Sequence, residues 1–177
     1  MAADERLRLF CALCLPDETI GRLVGWQHRE LRGGRAVSPG NLHLTLAFLG
    51  STPAAELPAI ADVLRRAAER ARPVRLELSG YRETRSVAML TFDDEGGAGA
   101  ALAGELHDGL EELGVYRREA RPWLAHVTVL RFRERPRLRP ELPELGEVSP
   151  SDAGVFISRL RPGGAEYESV ETVALGG

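Results

Sequence analysis

Two tetrapeptides share one frame, His43-Leu44-Thr45-Leu46 and His126-Val127-Thr128-Val129. Each lies in an apolar run, NLHLTLAFLG and WLAHVTVLRF. Side chains alternate between the faces of an extended chain. His43 and Thr45 therefore share one face and Leu44 and Leu46 the other, and His126 and Thr128 repeat the arrangement. An imidazole titrates near neutrality and can take or give a proton. A hydroxyl beside it can donate a hydrogen bond to an anionic oxygen. One such tetrapeptide fits any half-solvated strand. Two, holding two of the chain's four histidines, point to two copies of one unit.

Halves related by a pseudo-twofold would bring the two strands side by side, with both His–Thr faces in one groove. The chemistry this suits is in-line displacement at a phosphodiester. One imidazole takes a proton from the attacking water, the other gives one to the leaving oxygen, and the threonines hold the non-bridging oxygens. About one phosphate should fit between the imidazoles, within hydrogen-bond reach of both. The near-symmetric motifs do not say which ring is the acid. No metal or other cofactor is expected: the sequence has no HxH, no HExxH and no tight acidic cluster.

The elements that must position these residues follow from periodicity. RLRLFCALCLP reads as a first strand, and Pro16 opens a helix with Ile20, Leu23, Val24 and Leu31 at helical spacing. RGGRAVSPG is a loop before the strand of the first motif. Ser51 or Thr52 is placed to cap a helix with Leu57, Ile60, Ala61 and Leu64 inward. VRLELSG and SVAMLTF read as a hairpin around YRETR. A helix over residues 99–113 follows GGAGA, with Leu102, Leu106, Leu110 and Leu113 on one face and Gly114 as its C-cap. WLAHVTVLRF is a strand, RERPRLRPELPELGEVSP an extended connector, and GVFISRLR with AEYESVETVAL a closing pair. The reading is α+β: residues 1–177 as a single bilobal domain, two pseudo-symmetric lobes of mostly antiparallel sheet with helices outside and the active groove between them.

Composition narrows the class. The 177 residues are 44% hydrophobic and 28% charged, ordinary for a soluble globular chain. No window has membrane-spanning length, and the acids preceding the first apolar run are in the wrong order for a secretory signal. A cytoplasmic monomer is expected. Cys11 and Cys14 lack the partners of a zinc site and read as small apolar fillers. A net charge of -3 argues against a non-specific nucleic-acid coat. Every basic residue is Arg, and eight of them lie between Arg117 and Arg139, a local field suited to a polyanion.

Taken with their flanks, these motifs resemble the 2H phosphoesterase superfamily, and within it the RNA 2',3'-cyclic phosphodiesterases, also called the 2'-5' RNA ligase family. RLFCALCLP is similar to the family's opening strand, NLHLTLAFLG to its first motif and RPWLAHVTVLR to its second. FISRLRPGGAEYESVETVAL resembles its terminal hairpin, with Ser158, Gly164 and Tyr167 in order. Ala125 stands where the family usually has Pro, and Val129 where Leu is commoner. The resemblance implies hydrolysis of RNA or nucleotide 2',3'-cyclic phosphates to 2'-phosphates. His43 would be the proton donor and His126 the base, and joining or cleavage of 2'-5' linkages is a side activity of some relatives.

Arg131 follows the second motif and suits phosphate, although strict alternation turns it away from His126. Phe10 and Tyr167 are candidate platforms for a base. Alternation assigns Phe48 and Trp123 to the interior, and His28 and His107 read as helix-surface residues. The competing reading is a module that binds RNA ends or nucleotides without turnover, resting on the Arg117–Arg139 run.

Overall fold

The computed structural model describes residues 4–176. In chain order they form β1 (Arg6–Cys14), α1 (Asp17–Glu30), β2 (Arg35–Ala36), β3 (His43–Pro53), α2 (Leu57–Glu69), β4 (Leu76–Glu83), β5 (Val87–Asp94), α3 (Ala98–Glu112), β6 (His126–Arg131), β7 (Asp152–Arg161) and β8 (Gly164–Ala174). The strands pair antiparallel in two four-stranded sheets, ordered β3-β1-β7-β8 and β2-β6-β5-β4. The fold is α+β, as the periodicity predicts.

The duplication is visible in the connections. β1-α1-β3 and β5-α3-β6 are the same unit: a strand, a helix, and a His–Thr strand returning antiparallel beside the first. β7 flanks β1 as β4 flanks β5. The two helices cross over. On α1, Trp26 meets Tyr81 of β4 edge-on at 6.4 Å, so this helix covers the sheet of the other half. In turn α3 packs against β3. α2 lies against α3, β7 and β8. One apolar core runs through both halves, from Leu9, Leu13 and Leu44 to Leu90, Val127 and Leu130.

Local chemistry explains the ends. Gly96 and Gly97 adopt positive φ, and the Asp94 carboxylate then accepts from the amides of Gly99 (2.9 Å) and Ala100 (2.7 Å), opening α3. At its far end Gly114 has φ 74, its amide bonds Glu111, and that of Val115 bonds Leu110, a Schellman closure around the expected glycine. The expected cap of α2 is not found. Ser51 and Thr52 belong to β3, which pairs with β1 as far as Pro53. Buried Thr52 gives its hydroxyl to the carbonyl of Gly50, and α2 starts only after a 3-10 turn at Ala54–Glu56. The strand of the second motif is also shorter than expected, beginning at His126. Both cysteines are free, and burial pushes the Cys11 thiol up to about 12, which suits an inert filler.

The Arg- and Pro-rich connector is irregular but pinned. The Glu83 side chain, at the end of β4, is 2% exposed and accepts four hydrogen bonds. They come from the Tyr81 hydroxyl (2.6 Å), Arg135 Nε (3.1 Å), and the amides of Arg137 (2.9 Å) and Leu138 (2.8 Å). Among the described residues Arg137 alone of the non-glycines has positive φ, a strained conformation held by its amide's bond to this carboxylate. Burial works against the charged form of Glu83, but the four donors outweigh it and hold the carboxyl below the ordinary Glu range. Its stabilisation is therefore present above the ordinary carboxylate pKa and lost as pH falls through the lower folded-state value. Glu83→Gln should cost about 1–3 kcal/mol in urea unfolding at neutral pH. It should also flatten the acid-side decline of stability, and equal curves for variant and parent would refute the anchoring role.

Candidate active site

The register of the two His–Thr strands builds the site. On β3, Thr45 pairs with Ala12 and Ala47 with Cys11, so Leu46 is left without a ladder partner. On β6, Thr128 pairs with Met89 and Leu130 with Ala88, leaving Val129 without one. Each is a β-bulge immediately after the threonine. One extra residue reverses the alternation beyond it. Leu46 and Ala47 are consequently both buried, and so are Val129 and Leu130. The next residues, Phe48 and Arg131, rejoin the face of the histidines.

This corrects the strict-alternation reading. Phe48 is not core: it is 48% exposed in the groove, with the Arg8 guanidinium 4.7 Å from its ring centre. Arg131 does not face away. It lines the same groove as His126 and is close enough to His43 for its charge to act on that ring.

The groove encloses about 1070 Å³, and His43, Thr45, His126 and Thr128 all line it. His126 Nδ1 donates to the carbonyl of Leu124 at 2.9 Å. His43 bonds the backbone of Asn41, also two residues upstream, and its Nε2 lies 3.1 Å from Thr45 Oγ1. A ring that spends its Nδ1 proton on a carbonyl presents Nε2 as the working atom.

Their surroundings differ. His43 stacks on Phe10 (centroids 4.8 Å, 22° apart), with Tyr167 edge-on at 5.2 Å and Phe156 beyond at 6.2 Å. β1, β7 and β8 thus supply an aromatic bed. Burial there pushes the His43 pKa down to about 4. The bond to Asn41 opposes the shift, while the charges of Arg131 and His126 add to it. His126 stands across from Thr91 in the ladder, with Met89 opposite Thr128, and no such bed supports it among the described residues.

The other expected residues sort by contact. Phe10 has no free face for a base: it is 3% exposed, with His43 on one side and Phe156 stacked at 5.2 Å on the other. Tyr167 is half-buried at the groove wall, its ring edge-on to Phe10 at 4.8 Å. Its ladder partner Ser158 is buried and also lines the groove, and Gly164 turns the closing hairpin at φ 122. Trp123 is only half-buried, and its indole donates to the carbonyl of Thr45 at 2.9 Å. His28 is exposed, as expected. His107 is not: it is buried, and its Nε2 donates to the carbonyl of Leu46 at 2.8 Å. Within the Arg run, Arg118 is paired with Asp108 and Glu111, Arg121 with Glu119 and Arg135 with Glu83. Among the described residues no group of three or more His, Cys, Asp and Glu is placed to hold a metal. No helix among them is long and apolar enough to cross a membrane.

Comparison with known proteins agrees with this geometry. The profile of the 2'-5' RNA ligase superfamily matches residues 15–160. An RNA 2',3'-cyclic phosphodiesterase of Thermus thermophilus is 34% identical, the match spanning 97% of this chain and 91% of that protein. A protein of the same name from Escherichia coli is 31% identical over 72% of this chain and 73% of its own length. Among solved structures, a Thermus thermophilus protein superposes with TM-score 0.82 at 33% identity, covering 97% and 99% of the two chains. Escherichia coli LigT complexed with NADP+ superposes with TM-score 0.81 at 26% identity, covering 98% and 100%. With two matching motifs on two matching bulged strands, and relatives similar over nearly its full length, the chain belongs to the 2'-5' RNA ligase superfamily of 2H phosphoesterases.

Proposed function

We propose that this protein hydrolyses the 2',3'-cyclic phosphate of RNA ends, or of nucleotides, to a 2'-phosphate, with its two histidines as acid and base and no metal. The observation that carries the reading is the meeting of both imidazole–hydroxyl couples, with Arg131, on one groove. Water attacks phosphorus and loses its proton to Nε2 of His126. The bond from phosphorus to the 3' oxygen breaks, and Nε2 of His43 gives that oxygen its proton. Thr45, Thr128 and Arg131 hold the charge that builds on the non-bridging oxygens. The products are a 2'-phosphate and a free 3' hydroxyl, and solvent returns the proton from His126 to His43.

The depressed pKa of His43 fits an acid once the substrate is counted. An imidazolium in an aromatic bed beside Arg131 is a strong acid that releases its proton readily. A bound phosphodiester offsets the arginine's charge and raises the ring's affinity for that proton. The same groove would accept 2'-5' linkages for joining or cleavage. Binding without turnover is the weaker reading, because Arg118, Arg121 and Arg135 of the basic run already serve carboxylates. The proposal includes a monomer acting in the cytoplasm, where free thiols such as Cys11 stay reduced.

Incubation with a nucleoside 2',3'-cyclic phosphate in excess EDTA should yield the 2'-monophosphate at an undiminished rate. His43→Ala and His126→Ala should each lower turnover by about 10²-fold or more with unchanged circular dichroism. Normal rates in both variants would dismiss the acid–base assignment. In an NMR titration of the free protein, His43 should titrate near 4. Saturation with a nucleoside 2'-monophosphate should move its midpoint upward, as should Arg131→Met. A midpoint that stays put with the anion bound would leave His43 able to act only as the base.

A further inference from the structure

Two buried polar side chains lie outside the reacting groups, one in each half, and both reach a bulge. Gln27 on α1 is 5% exposed, and its Nε2 donates to the carbonyl of Val129 at 2.9 Å and to that of Val37 at 3.0 Å. His107 on α3 is 9% exposed, and its Nε2 donates to the carbonyl of Leu46 at 2.8 Å. Leu46 and Val129 are the residues left unpaired immediately after Thr45 and Thr128. Each donor comes from the helix of the opposite half. The amide of Val37 shares the carbonyl of Val129 at 3.1 Å, and Tyr116 packs on the His107 ring at 4.9 Å.

We infer that Gln27 and His107 are a matched pair of positioning residues: each holds the bulge of the other half's His–Thr strand and thereby fixes Arg131 and Phe48 in the groove. Without the bulge, strict alternation would turn Arg131 and Phe48 off the groove face and bring Leu130 onto it. The bulged state points a carbonyl at the buried face of a helix, where an unmet acceptor is costly; that of Leu46 takes His107, and that of Val129 takes Gln27 beside the amide of Val37. A buried N–H aimed at that carbonyl favours the bulged register over the regular one. Glutamine and histidine differ in shape but share the needed feature, one N–H at the end of a short planar side chain. Histidine is used here as a donor to a carbonyl and takes no part in the proton transfers.

This inference rests on the proposed phosphodiesterase reading for its kinetic readout but not for its structural one. Four variants test it: Gln27→Leu, Gln27→His, His107→Leu and His107→Gln. Both leucine variants should lower kcat/KM for a nucleoside 2',3'-cyclic phosphate by about tenfold or more, measured well below their melting temperatures. Gln27→Leu, which frees Arg131, should lower kcat as well, whereas His107→Leu, which frees Phe48, should act mainly on KM. His107→Gln should recover to within about threefold of the parent, because glutamine already does this work in the other half. A purely structural role would instead lower the melting temperature and leave turnover of the folded protein unchanged. Crystal structures of the leucine variants supply the independent readout: Phe48 or Arg131 should leave the groove as the bulge is lost. Intact bulges with both side chains in place would overturn the inference even if the enzyme reading stands. If the parent turns over no cyclic phosphate, the function reading fails while the crystal structures still decide this one. If a leucine variant does not fold, the glutamine and histidine variants decide, since exchange of donors must preserve activity.

Discussion

A β-strand that carries a bulge leaves a backbone carbonyl out of its ladder, and in a protein interior that carbonyl must find a donor. Two such bulges fall immediately after Thr45 and Thr128. The carbonyl of Leu46 is met by His107 on α3, and that of Val129 by Gln27 on α1 together with the amide of Val37. Trp123 adds a third such bond, to the carbonyl of Thr45 itself. The crossing of the helices is thus more than a way to cover two sheets. It makes the groove face of each half depend on the presence of the other, so neither His–Thr strand is complete alone.

With the backbone so nearly duplicated, the difference between the two histidines comes from what lies beneath them. The His126 ring is oriented by the carbonyl of Leu124, two residues upstream, and the His43 ring is held beside Thr45. Only His43 has Phe10, Phe156 and Tyr167 around it, contributed by three strands of its sheet. Desolvation on that bed makes the imidazole a weaker base. Two copies of one imidazole–hydroxyl couple become chemically distinct once their surroundings cease to be equivalent. Duplication supplies the pair, and the divergence of the neighbouring strands makes its two members unequal.

Charge is distributed with similar economy. The acidic chain concentrates arginines beside the groove, yet carboxylates hold several of them: Glu83 secures the connector through Arg135, and Arg118 ties the loop before the second motif to α3. Among the described residues Arg131 has no such ion pair and lines the groove. Arg8 lies instead over the ring of Phe48. A count of basic residues along the chain therefore overstates the field offered to a ligand, and the position of a single guanidinium matters more.

Much of the architecture is legible in the residues. Alternation locates the strands, leucine spacing the helices, Gly114 the end of α3, and the repeated His–apolar–Thr frame the duplicated unit and its groove. Local periodicity is enough for these because each element buries one face whatever its neighbours do. The errors fall where alternation breaks. Strict alternation puts Phe48 and Arg131 on the wrong face because no residue type announces a bulge in HLTLAF or HVTVLR. His107 reads as a surface residue because its partner, the carbonyl of Leu46, belongs to the other half. Ser51 and Thr52 resemble a helix cap because an edge strand and a cap favour the same small hydroxyl side chains. Sequence alone thus determined which groups could do the chemistry and that they come in two copies. Only the tertiary structure decided which way the residues beyond each threonine point and which histidine loses its basicity, because both depend on donors and aromatic rings brought in from distant parts of the chain.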